Sequence, residues 1–220
     1  MNNFVYEIDI PPVTLKKLED LSKNGEKTFM EDLSIVEDQE NIKLYLKDFI
    51  NINSFHYANL FNHKNPFTIH SDISYKKKSI LLIPIKAHKD QKFILFDQIV
   101  ESDKEVSWIY NIFKDKTDQE LKDMYYESAL RTRPCETQCV KGCTGFPIDE
   151  ELFKFLPYTK ELYFGLTGFS WDYKPGKALL FPANRLHATG KMKSKKIGCT
   201  VQFTESINNL GILTEKHILS

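Results

Sequence analysis

Residues 66–85 read PFTIHSDISYKKKSILLIPI. The second half, SILLIPI, is the continuous apolar run of a strand buried on both faces. The first half sets His70 and Asp72 on either side of Ser71. A polar pair entering an apolar sheet costs free energy unless solvent, a hydrogen-bond network or a metal ion satisfies it. On a strand, residues i and i+2 face the same side with Cα atoms about 6.5–7 Å apart. His70 and Asp72 can therefore converge on one ion while Ser71 points away. Taken alone, the pair fits a structural or surface role better than a metal site.

Outward from this stretch lie further strand-like runs: SFHYANLF, KFILFDQ, ELYFGLTGFSWDY, KALLFPANRLHAT and KIGCTVQFTE. Turn-forming residues separate several of them, including Asn62–Pro66, Pro175–Gly176 and Gly190. The N-terminal part, 1–50, reads as a helical flank. Pro11 and Pro12 precede VTLKKLEDLSKNG, with Gly25 as a stop, and DQENIKLYLKDFI follows. Ile42, Tyr45, Leu46, Phe49 and Ile50 make one helical stripe, with Leu44 off it. Short strands behind a helical flank predict a sandwich or barrel with helices packed outside. Residues 101–158 interrupt the strands with a helix expected near 117–130 and then RTRPCETQCVKGCTGFP. A segment of that length is expected to act as a lid or binding loop.

YKPGKALLFPANRLHATG adds His187 after a Pro-Gly turn, an apolar strand and a second Pro break. Two His and one carboxylate on one face form the facial triad of non-haem iron, which leaves positions open for substrate and oxygen. Without His70 and Asp72, His187 would read as a lone strand-end histidine. Nine residues further on, Lys196 opens KIGCTVQF. Alternation places Ile197, Cys199, Val201 and Phe203 on an apolar face and Lys196, Gly198, Thr200 and Gln202 on the other. A Lys near a hydroxyl, with Gly leaving space between, suits a carboxylate. A surface charge at the strand end is the competing reading.

The ordered set His70-x-Asp72, His187, Lys196 resembles the Fe(II)- and 2-oxoglutarate-dependent oxygenases. PGKALLFPANRLHAT looks like that family's approach to its distal histidine, and FILFDQ looks like an intermediate strand. The resemblance covers roughly residues 55–100 and 161–205. It implies a single oxygenase-like domain over 1–220 with a double-stranded β-helix (jelly-roll) core. It implies His70, Asp72 and His187 as catalytic ligands of Fe(II), and Lys196 as partner of the distal carboxylate of the cosubstrate 2-oxoglutarate. Many members carry Arg at the basic position and a hydroxyl residue two places later, where this chain has Gly198. Thr200 could supply the hydroxyl instead, with Tyr57 as a weaker candidate. The implied reaction is a hydroxylation, coupling oxidative decarboxylation to succinate and CO2 with oxidation of a substrate C–H bond by molecular oxygen. The substrate would be a small molecule or a peptidyl residue. A cupin-like metalloenzyme without 2-oxoglutarate has no need of Lys196. A non-catalytic jelly-roll binding module has no need of three ligands.

Bulk properties agree with a packed enzyme domain. The chain has 220 residues, 41% hydrophobic, with 16 Phe and 10 Tyr and a formal net charge of zero. Neutral charge argues against a nucleic-acid partner, because phosphate neutralisation needs clustered positive excess. The Lys clusters at 76–78 and 191–196 read as solvated turns. No signal-like or membrane-spanning apolar run stands out, so a cytoplasmic protein without a membrane partner is expected. The four cysteines are then expected to be reduced. Cys135, Cys139 and Cys143 recur every four residues and could begin a zinc site lacking its fourth ligand, or remain free or partly buried thiols. His56, His63 and His88 read as surface or neighbouring histidines, Trp108 and Trp171 as packing residues, and Arg131 and Arg133 as part of a solvated loop.

Overall fold

The computed structural model describes residues 4–27, 33–64, 66, 69–72, 76–101, 134–136, 139–157 and 159–219. Most of the 101–158 segment, including the helix expected near 117–130, Trp108, Arg131 and Arg133, lies outside these residues.

Helix α1 (Pro12–Asn24) starts at a Pro in its first turn, where a missing N–H costs nothing, and ends at Gly25. Helix α2 (Gln39–Leu46) is capped by the Asp38 side chain, which accepts from the backbone N–H of Asn41. Ile42, Leu46, Phe49 and Ile50 are fully buried while Leu44 is half exposed, so the stripe and its exception both hold. The flank also contributes two strands that periodicity did not single out, β1 (Tyr6–Asp9) and β2 (Leu33–Val36).

The remaining strands are β3 (Phe55–His63), β4 (Ser79–Lys86), β5 (Lys92–Val100), β6 (Val140–Lys141), β7 (Gly168–Asp172), β8 (Lys177–Pro182), β9 (Arg185–Thr189), β10 (Lys196–Phe203) and β11 (Lys216–Ile218). They form a seven-stranded sheet, in the order β11-β1-β8-β4-β10-β3-β2, and a four-stranded sheet in which β5 pairs with β6, β7 and β9. The chain crosses repeatedly between them: β4 is in the large sheet, β5 and β7 in the small one, β8 in the large, β9 in the small and β10 in the large. His70 pairs with His187 as an isolated bridge at the edge of the small sheet. This antiparallel winding is a double-stranded β-helix, mainly β with flanking helices.

Two sequence runs behave differently from a plain strand. KALLFPANRLHAT breaks at Pro182, so β8 and β9 lie in different sheets. In ELYFGLTGFSWDY only Gly168–Asp172 is strand, and Lys160–Tyr163 is a short 3-10 turn.

Three apolar layers follow from strand alternation. Leu18, Ile42, Leu46, Leu60, Leu81, Ile83, Val201 and Phe203 join the helices to the outer face of the large sheet. Phe61, Ile80, Leu82, Phe93, Leu95, Trp171, Tyr173, Leu179 and Phe181 fill the space between the sheets. Ile94, Phe96, Leu186 and Ala188 cover the outer face of the small sheet together with Leu152 of α3 (Glu150–Phe153) and Leu156.

Cys135 and Cys143 are joined by a disulfide, and Cys139 and Cys199 take no part in it. The expectation of four reduced cysteines is therefore overturned, and two of the three thiols a zinc site would need are consumed. The physical reason is proximity: their Cα atoms lie 5.7 Å apart, within bridging range.

Candidate functional site

His187 sits on β9, where its neighbours Leu186 and Ala188 point to the outer core and leave it facing the space between the sheets. The bridge to His70 fixes the opposing segment. His70 N–H donates to the His187 carbonyl (3.0 Å), and His187 N–H donates to the His70 carbonyl (2.9 Å). Asp72 N–H donates to the Ala183 carbonyl (2.9 Å), which anchors the carboxylate beside the turn between β8 and β9. The ligand atoms of His70, Asp72 and His187 all lie within 4.8 Å of one another. The imidazole rings of His70 and His187 are 4.2 Å apart, and His187 Nε2 is 3.4 Å from Asp72 Oδ2.

The tautomer of His187 follows from its other nitrogen. Nδ1 is 3.0 Å from the Arg185 carbonyl, which can only accept, so Nδ1 carries the hydrogen. Nε2 then offers its lone pair towards Asp72 and His70, as a ligating histidine does. Phe93 and Phe181 flank the ring at 5.4 and 5.1 Å. Burial pushes the Asp72 pKa up, but when His187 is protonated and donates from Nε2, as it can where no metal takes that lone pair, this hydrogen bond and the charges of His187, His70 and Lys77 outweigh it and hold the carboxyl below its usual range. The carboxylate is therefore ionised and able to ligate.

Lys196 is 2% exposed, which sets aside the surface-charge reading. Its Nζ donates to Thr189 Oγ1 (2.9 Å) and lies over the rings of Tyr173 and Phe61 at 4.8 and 5.6 Å. Burial pulls its pKa down from 10.5 to about 7. Among the described residues no carboxylate pairs with it. Gly198 is required here, because a Cβ on it would come 1.9 Å from the Tyr173 hydroxyl and 2.6 Å from Phe61. The Tyr173 phenol thus occupies the space where a side chain at 198 would stand, and it donates to the Ile197 carbonyl (3.3 Å). Burial raises its pKa well above the usual phenol range, so it stays a neutral donor.

Thr200 and Tyr57 share the inner face of the large sheet with Lys196, but the hydroxyl that Lys196 contacts is that of Thr189. Thr189 had a local signal, two residues after His187 and so on the same side of β9. Tyr173 had none, because its partner Gly198 lies on another strand. His63, opposite Lys196 in register, is buried between the sheets with its ring 5.2 Å from Phe61. His56 is exposed, and Trp171 packs inside with its indole N–H donating to Glu7 (2.7 Å). A second grouping, Asp9, Glu215 and His217, lies at the β1–β11 edge. It is more exposed, and Lys177 pairs with Asp9 there.

No protein-family model matches the sequence, and no curated protein matches it. Among solved structures, the chain is similar to a 2OG-Fe(II) oxygenase family oxidoreductase from Burkholderia pseudomallei: 6% identity, TM-score 0.42, covering 90% of this chain and 84% of that one. A prolyl-4-hydroxylase from Pseudomonas putida aligns at 6% identity and TM-score 0.45, covering 93% and 94%. HygX from Streptomyces hygroscopicus, solved with nickel and 2-oxoglutarate, aligns at 7% identity and TM-score 0.44, covering 93% and 84%. Among the described residues, no helix is long and apolar enough to cross a membrane.

Proposed function

We propose that this chain is an Fe(II)- and 2-oxoglutarate-dependent oxygenase, a hydroxylase in which the whole of 1–220 serves as one catalytic domain. The observation that carries the reading is the convergence of two imidazoles and one carboxylate, from segments far apart in sequence, within 4.8 Å. That donor set and its fixed His187 tautomer fit iron(II). The fit to 2-oxoglutarate rests on Lys196, a buried amine whose hydrogen bond goes to a neutral hydroxyl and which a carboxylate would hold in its charged form.

With both bound and oxygen present, the metal and cosubstrate supply the decarboxylation to succinate and CO2 and the oxidation of a substrate C–H bond. The protein's part is positional. His70, Asp72 and His187 would hold the metal on one side only. Lys196, with Thr189 and the neutral phenol of Tyr173 beside it, would take the distal carboxylate. Phe93 and Phe181 exclude water around His187, which strengthens each polar contact there. Molecular oxygen and a small-molecule or peptidyl substrate complete the partner set.

The test is succinate release across substrate pools, with mass spectrometry for a gain of one oxygen. His187→Ala should abolish turnover and weaken metal binding at least about 100-fold while leaving the fold intact. Lys196→Ala should raise the 2-oxoglutarate requirement about 10- to 100-fold, as expected for a charge-assisted hydrogen bond of about 1.5–3 kcal/mol, with metal binding retained. Wild-type metal affinity in His187→Ala would sink the assignment.

A further inference from the structure

The inner face of the large sheet is divided. On β8 and β4 it is apolar, with Leu179, Phe181, Ile80 and Leu82. Over Thr200–Gln202 of β10 and Tyr57–Asn59 of β3 it is polar, with Phe61 further along β3 beside Gly198. Cys199, Val201 and Phe203 of β10 and Ala58 and Leu60 of β3 belong to the helix-side core. Alternation therefore turns Thr200, Gln202, Tyr57 and Asn59 inward. Register places Gln202 opposite both Ile80 and Tyr57, and Ile80 opposite Phe181. One row thus runs Phe181–Ile80–Gln202–Tyr57 across the sheet. The Phe181 ring is 5.1 Å from His187, so this row lies level with the proposed metal. The next row towards Lys196 is Leu179–Leu82–Thr200–Asn59.

Two groups on this wall lack what burial demands. Gln202 is only 8% exposed, and among the described residues its side-chain carbonyl has no hydrogen-bond partner. The Asn59 side-chain carbonyl is likewise buried and without one. A buried polar atom left without a partner is destabilising, and such atoms are tolerated where a ligand satisfies them. The ligand in question is not the distal end of 2-oxoglutarate. Lys196 lies six residues from Gln202 along β10, about 20 Å at strand rise.

We propose that Asn59 and Gln202 are specificity-determining residues that recognise a neutral, amide-bearing primary substrate held against the apolar Ile80–Phe181 side of the same wall. A carboxamide offers one donor and one acceptor group, and the amide of a substrate complements it with one of each. Across β8, β4, β10 and β3 neither row carries an ionised side chain. Glu7, which continues the second row onto β1, is taken up by the Trp171 indole N–H (2.7 Å) and by Lys177 (3.5 Å), and the Arg185 guanidinium is paired with Asp97 (2.8 Å). A charged substrate group beside Gln202 and Asn59 would find no unpaired counter-charge in these two rows. The inference rests on the oxygenase reading for what happens to the substrate, but the recognition itself can be measured apart from turnover.

The experiment uses the full chain, 15N-labelled, loaded with Zn(II) to prevent turnover and saturated with 2-oxoglutarate. The probes are N-acetyl amino-acid N-methylamides and the matching methyl esters. The side-chain NH2 signals are assigned from their loss in Asn59→Asp and Gln202→Glu. At least one amide should shift both signals and bind tenfold or more tighter than its ester. In Gln202→Leu that ratio should fall below threefold, with 2-oxoglutarate affinity within twofold of wild type. Should Gln202→Leu fail to fold, Gln202→Glu keeps the shape, removes the donor and should give the same loss. The proposal is overturned if no amide shifts either signal, or if the amide preference survives in the variant. It is also overturned if 2-oxoglutarate alone shifts both signals and Gln202→Leu weakens its binding more than tenfold. If the triad takes no metal, the oxygenase reading fails, and the amide-to-ester ratio on the metal-free protein still decides this inference.

Discussion

Strand β10 has two faces that obey different rules. The outer face, Cys199, Val201 and Phe203, is fully buried against α1, α2 and the neighbouring strands. Every group there is apolar or, like the Cys199 thiol, held neutral by burial, which raises its pKa. The inner face holds a buried amine, a glycine under a phenol, and a buried glutamine carbonyl without a partner among the described residues. One eight-residue strand thus stabilises the fold on one side and spends stability on the other. Burying polar groups imperfectly is costly, and such cost concentrates where a ligand will offset it.

The largest difference between the two faces is expected in a pH series. The Lys196 pKa falls from 10.5 to about 7 on folding. Between those values the unfolded chain binds more protons, so the Lys196 contribution to stability rises with pH through that window and is lost as pH falls towards 7. The full span corresponds to about 5 kcal/mol. Urea unfolding of wild type and Lys196→Met at pH 7, 8, 9 and 10 should show the variant's advantage shrinking as pH rises. A constant difference would mean that Lys196 is charged and paired. On the outer face, Phe203→Ala should cost about 3–5 kcal/mol through lost burial and an unfilled cavity, with Zn(II) affinity within twofold of wild type. A fall in metal affinity larger than the stability loss explains would show that the faces are coupled.

Gly198→Ala sharpens the inner side. Its Cβ would strike the Tyr173 hydroxyl, costing about 1–3 kcal/mol. Tyr173→Phe removes that atom and should recover part of the loss in the double variant. Recovery stays partial because Phe61 and the Ile83 carbonyl also crowd the site, at 2.6 and 3.1 Å. The smallest effect belongs to Lys195→Ala. Lys195 is exposed, and the change should move stability by less than about 0.5 kcal/mol and leave 2-oxoglutarate affinity unchanged. Equal effects at 195 and 196 would mean the anion pocket is misplaced.

The alternation of KIGCTVQF was legible because strand period is local, and it correctly assigned each residue of β10 to its face. The helical stripe with Leu44 as its exception was legible for the same reason. The strands β1 and β2 were not, because four residues carry too little pattern to stand out from a helical flank. The split of KALLFPANRLHAT into two sheets was signalled by Pro182, but where each half lands depends on pairing partners that lie far away in sequence.

The sequence by itself determined, through strand period, that Lys196, Gly198, Thr200 and Gln202 share one face of β10, a relation that is purely local. His70 and Asp72 converge by other means than the strand their spacing suggested: only His70 makes a bridge, Asp72 lies outside any strand, and backbone hydrogen bonds to His187 and Ala183 hold them in place. The tertiary structure alone decided that Thr189, on another strand, would meet Lys196, that Tyr173 would fill the space over Gly198, and that Cys135 and Cys143 would be close enough to join. The physical reason is that such contacts are set by sheet pairing and by the winding of the chain between two sheets. Local periodicity determines a side chain's direction but not the strand it will face.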